Sequence, residues 1–69
     1  MHNSEETKTI NRIALHRAIQ GLPRRQRDAV LYCEILGFTQ AETGRVLGIS
    51  QQAVDKNIRA AKKNIEARL

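Results

Sequence analysis

Gln51, Gln52, Asp55, Lys56 and Arg59 fall on one polar face of a predicted helix, and their chemistry suits the edges and backbone of a nucleic acid. A glutamine amide can pair in bidentate fashion with N6 and N7 of adenine, and a carboxylate can accept from N4 of cytosine. Gln51, Gln52, Asp55 and Lys56 are therefore the candidate base readers. Asp55 has a second reading, in which it orients Lys56 or Arg59 through a local ion pair. Thr39 and Gln40 open the preceding helix, whose free backbone N–H groups can hold a phosphate. With Arg45, Arg59 and Lys62 they form the candidate phosphate contacts, and Lys56 could join them. Arg24, Arg25 and Arg27 are either flanking phosphate contacts or solubilising charge.

This face must be positioned by two helices crossing at about 90–120°, which places three demands on the chain between them. The first helix needs a tiny residue at the crossing, and Gly44 supplies it. The turn needs a residue tolerant of positive φ, and Gly48 supplies that four positions later. The second helix needs an apolar anchor directed back at the first, and Val54 lies six residues beyond the turn glycine. Leu47 and Ile49 fill the space between. A glycine inside a helix costs roughly 1 kcal/mol relative to alanine, so Gly44 implies a packing reason. The helix-turn-helix unit is thus predicted over about Thr39 to Arg59.

The remaining signals place helices on either side. Ser4 can cap a first helix, with Glu5 and Glu6 near its positive end. Ile10, Ile13, Ala14, Arg17 and Ala18 follow helical spacing, Leu15, Ile19 and Leu22 form a neighbouring stripe, and Gly21 is a stop. Leu22–Pro23 opens a second helix. Its stripe is Ala29, Val30, Cys33 and Leu36, and Gly37 is its left-handed cap. Thr39 and Glu42 form a capping box for a short third helix that ends at Gly48. Ser50 caps a fourth, whose stripe is Val54, Ile58, Ala61 and Ile65. Residues 1–69 thus read as one all-α domain of four helices, a helix-turn-helix arrangement without a wing.

Composition agrees. A chain of 69 residues buries only about 60% of its unfolded surface, which leaves room for one small core. Aromatic residues make up 3% of the chain, which suits aliphatic helix packing better than a β-sandwich. The net charge of +5 points to a polyanionic partner. Between Gln51 and Leu69 five basic residues stand against Asp55 and Glu66. Cys33 is the one cysteine, read as a small buried hydrophobe in a reducing compartment. No apolar run approaches the roughly 18 residues of a membrane span, and the polar start does not resemble a signal peptide. The expected setting is the cytoplasm, with no membrane partner. An enzyme is not expected: His2 and His16 lie far apart without a second metal ligand or carboxylate pair, and His16 is placed on the solvent side of its helix. No metal and no cofactor are implied.

Taken together, these motifs resemble region 4 of bacterial sigma-70-type sigma factors, especially the extracytoplasmic-function kind. The resemblance runs from about Ile13 to Ile65. It rests on Leu22–Pro23 with Gln26 and Arg27, Gly37–Thr39, Ala41–Glu42, Leu47–Ser50, Val54, and Arg59–Ala61 with Ile65. It implies a domain that reads the −35 promoter element and docks an apolar surface on the β-flap of RNA polymerase. An anti-sigma factor is a further partner it allows. Two positions depart from the family pattern: Thr43 replaces the usual Ile or Val, and Asp55 replaces a basic or neutral polar residue. A complete sigma factor also needs a domain for the −10 element, so the chain reads as an excised region 4 or a small stand-alone protein. Two other readings stand beside it. One is an independent dimeric helix-turn-helix regulator of phage or plasmid type that binds an operator. The other is a protein-interaction module that touches no DNA.

Overall fold

A computed structural model describes the backbone of residues 4–69 and the side chains from Arg12 onward. Four α-helices, α1 (Ser4–Gln20), α2 (Arg24–Val30), α3 (Gln40–Leu47) and α4 (Gln51–Arg68), follow one another, and a π-helical turn, Leu31–Ile35, extends α2. The capping role expected of Ser4, the charges of Glu5 and Glu6 and the stripe position of Ile10 lie outside the described side chains, as does His2. His16 is exposed, on the solvent side of α1.

The long α4 is the axis of the fold, and its apolar stripe joins two small cores. Val54 and Ile58, in its first half, pack with Ala29 of α2, flanked by Cys33 and Ile49. Ala61, in its second half, packs with Ile19 of α1, Leu22 of the turn that follows it and Val30 of α2, with Ile65 against them. Side chains at i, i+4 and i+7 of one helix share a face, so a single stripe serves both clusters. Ala18, Ile19 and Leu22 of the first-helix stripes are buried, whereas Ile13 and Leu15 are exposed.

The end of α1 and the start of α2 are closed in different ways. Gly21 follows the last residue of α1, and its N–H donates to the Arg17 carbonyl. Arg68 donates from Nη2 to the Gly21 carbonyl at 3.2 Å, so the end of α4 covers the end of α1. Pro23 is the N-cap of α2, one residue before its first turn, with φ −53° and ψ 148°.

The π turn is the departure from expectation. Leu36 N–H donates to the Leu31 carbonyl, and Phe38 N–H reaches back to Tyr32, each at 2.9 Å. A π turn holds an extra residue, so every position beyond it is rotated back around the axis. Leu36, expected on the stripe with Ala29, Val30 and Cys33, is carried off the core and left 61% exposed. Gly37, at φ +79°, then reverses the chain as the sequence predicts. The Tyr32 and Phe38 rings pack across the reversal, with centroids 5.5 Å apart.

Candidate nucleic-acid interface

The helix-turn-helix is held by short-range devices. Thr39 Oγ1 accepts from Glu42 N–H and Glu42 Oε1 accepts from Thr39 N–H, each at 3.0 Å, closing the capping box at the start of α3. These bonds from the Thr39 backbone and hydroxyl hold the Glu42 carboxyl below its ordinary value of 4.5, with a smaller pull from Arg45. Gly48 ends α3 at φ +71°. Ser50 Oγ accepts from Ala53 N–H at 3.1 Å and starts α4.

At Gly44 the backbone of the turn lies tight against α3. A Cβ there would lie 2.7 Å from the Ile49 carbonyl oxygen and 3.4 Å from the Ser50 carbonyl carbon. Both are backbone atoms that cannot swing away. The Gly44 carbonyl in turn accepts from Ile49 N–H at 2.9 Å and from Gly48 N–H. Val54 is fully buried as the anchor, Ile49 packs beside it, and Leu47 is half-buried. Thr43 is fully buried as well, and its hydroxyl lies 3.1 Å from Cys33 Sγ. A buried hydroxyl without a partner would be costly, so the half-buried Cys33 is what lets a threonine occupy this core position. The departure at Thr43 is therefore matched within the chain.

The structure brings Gln40, Gln51, Gln52 and Asp55 together around one open polar depression at the α3–α4 junction. Gln51 and Gln52 are exposed there. Gln40 Nε2 donates to Asp55 Oδ1 at 3.2 Å, and Arg59 Nε lies 3.0 Å from Asp55 Oδ2. The Arg59 ion pair is the local pairing that the i, i+4 spacing offered. The Gln40 contact joins residues fifteen positions apart on different helices, and no local periodicity signals it. Lys56, Arg45 and Thr39 are exposed on the same pair of helices.

Other cations are committed elsewhere. Lys62 Nζ lies 3.5 Å from Glu34 Oε1, away from the polar depression. Arg25 Nη1 donates to the Leu47 carbonyl at 3.2 Å and Arg27 Nη1 to the Gln20 carbonyl at 3.5 Å, so both place positive charge at helix C-termini. Arg24 lies 3.8 Å from Asp28.

A second surface lies away from these residues. Leu15, Ile19, Val30, Ile35 and Ile65 line an apolar groove between α1, the π turn and the end of α4, rimmed by Glu34, Lys62 and Glu66. Its signal in the sequence is an excess: seven of the eight residues from Ala29 to Leu36 are apolar or aromatic, more than one helical face can bury.

Residues 12–65 match the family model described as Sigma-70, region 4. The chain belongs to the sigma-70 region 4 family. That match covers the second half of α1, all of α2, the π turn and α3, and α4 as far as Ile65. No match was found among curated proteins or solved structures. Region 4 is a DNA-binding domain of transcription, and the all-helical fold agrees with it. Among the described residues, no helix of this region 4 chain is long and apolar enough to cross a membrane.

Proposed function

We propose that this region 4 chain recognises a −35-type promoter element through the start of α4 while docked on RNA polymerase. The observation that carries the reading is the polar depression formed by Gln40, Gln51, Gln52 and Asp55 at the mouth of a tightly fixed helix-turn-helix. In such a unit the second helix enters the major groove with its N-terminal residues leading. Gln51 and Gln52 read base edges, with Lys56 and Asp55 beside them. Thr39, Gln40 and Arg45 set the register on phosphates, while Arg59 is held beside them in its pair with Asp55. Lys62 joins them only by leaving Glu34.

The apolar groove lined by Leu15, Ile19, Val30, Ile35 and Ile65 is the docking surface for the β-flap of the polymerase. Family membership supports that occupant. A single small module makes few phosphate contacts and binds free DNA weakly, so attachment to polymerase supplies the remaining affinity.

The alternative, an independent dimeric regulator, would place a second copy in the same groove. Sedimentation of the full chain with and without a β-flap fragment separates the two. A monomer that binds the fragment supports the region 4 reading, and a stable dimer indifferent to it overturns the docking. Replacing Gln51, Gln52 and Arg59 together tests the DNA-reading part. Occupancy of a promoter by polymerase carrying the chain is expected to fall, and occupancy that survives the change overturns it.

A further inference from the structure

We infer that Asp55 is a positioning residue of the DNA-reading face, which restrains Arg59 and Gln40 so that base contacts outweigh sequence-blind phosphate contacts. The inference rests on the proposal that this face reads DNA. Its physical basis is the two-sided engagement of one carboxylate: Oδ1 accepts from Gln40 of α3 and Oδ2 pairs with Arg59 one turn along α4. The Arg59 side chain is 79% exposed, so it faces solvent while held, and its charge is offset where it would otherwise grip any phosphate. Gln40 stands at the first position of α3, and its bond ties that helix end to the α4 face. A carboxylate among cations on a DNA-facing surface is repelled by phosphate, so its direct contribution to affinity is unfavourable. What it supplies is selectivity, since a binder gains specificity by weakening contacts common to all sequences.

Two substitutions separate the two bonds. Asp55→Asn keeps an oxygen for Gln40 and removes the charge that holds Arg59, while Asp55→Ala removes both. Binding of the full chain to a duplex of arbitrary sequence, followed by fluorescence anisotropy over a range of salt, reads the effect. D55N is expected to bind about threefold more tightly at low salt. Its salt dependence should steepen by roughly 0.9, the increment for one added phosphate contact. In an Arg59→Gln background most of that steepening should vanish, because the effect passes through Arg59. Selection from a randomised duplex pool should return a less defined sequence for D55N than for the parent, and a poorer one again for D55A. Thermal unfolding midpoints of the variants establish that each is folded.

An unchanged salt slope in D55N, or an equal steepening in the R59Q background, overturns the inference. So does the loss of a preference for a C·G pair at one position with all else retained, since Asp55 would then be a reader itself. If the parent chain enriches no sequence, alone or bound to polymerase, the DNA-reading proposal fails and this inference falls with it. If the parent enriches a sequence and D55N behaves identically, only the inference fails.

Discussion

The first and second halves of α4 belong to one helix but sit in different surroundings. Residues Gln51 to Ile58 are fixed from two sides: by the adjoining turn, through the Ser50 cap, Gly48 and the close approach at Gly44, and by Ala29 of α2 and Cys33 of the π turn packed behind Val54 and Ile58. Residues Arg59 to Arg68 depend on Ile19 of α1 and Leu22 of the turn after it, some forty positions away. Beside this half the apolar groove remains open, with Ile35 58% exposed on its border. The first half can therefore serve as a rigid reading head, because its geometry owes nothing to a partner. The second half exposes apolar surface that water leaves unsatisfied, the expected condition of a surface that a protein covers.

Breaking the rigid half should have the largest effect. Gly44→Val puts side-chain atoms against the Ile49 carbonyl, which cannot yield without moving the turn. A loss of about 3 kcal/mol is expected, near the upper end for overpacking. In a domain of this size that corresponds to roughly 15 °C in the thermal midpoint. Gly21→Ala provides the contrast: the nearest atoms to the added Cβ are the far end of the Arg68 side chain, which can swing away by giving up one exposed hydrogen bond, and the midpoint should change little. Equal losses at the two glycines would remove the basis for calling one half rigid.

The capping box comes next. Thr39→Ala should cost about 1 kcal/mol by denaturant titration. Its partner Glu42 adds a pH dependence whose sign follows from its lowered value. A carboxyl depressed in the folded state favours folding above its unfolded value, near 4.5, and loses that contribution as pH falls through the folded value. The stability difference between the parent and Glu42→Gln should therefore be present at neutral pH and shrink below about pH 4.5. A difference that grows on acidification would contradict the cap geometry.

The groove should respond in the opposite manner. Ile35→Ser is expected to leave stability within about 0.5 kcal/mol of the parent, because the side chain is already largely in water. Binding of a β-flap fragment should weaken about tenfold, the scale of an interface anchor worth roughly 1.4 kcal/mol. A large loss of stability would place Ile35 in the core instead.

The same contrast explains what the sequence discloses. Thr39, Glu42, Gly44, Gly48, Ser50 and Val54 each act within a few positions, so their spacing announces the helix-turn-helix before any coordinates. The all-helical class and the family are legible for the same reason. Leu36 is misplaced because a periodicity of 3.6 assumes an α-helix, and the π turn adds a residue just before it. The Gln40–Asp55 bond and the Lys62–Glu34 pair join separate helices, and their partners follow from packing, which no local pattern encodes. The bonds of Arg25 and Arg27 to the carbonyls of Leu47 and Gln20 are likewise contacts between separate elements that no local pattern encodes.

Amide NMR spectra of the full chain, titrated separately with its selected duplex and with a β-flap fragment, test the division of labour directly. The duplex should shift signals at Gln40 and from Gln51 to Lys56 while those at Leu15, Ile35 and Ile65 stay in place, and the flap fragment should do the reverse. Shifts from both ligands converging on one surface, or a duplex that perturbs the apolar groove first, would contradict it.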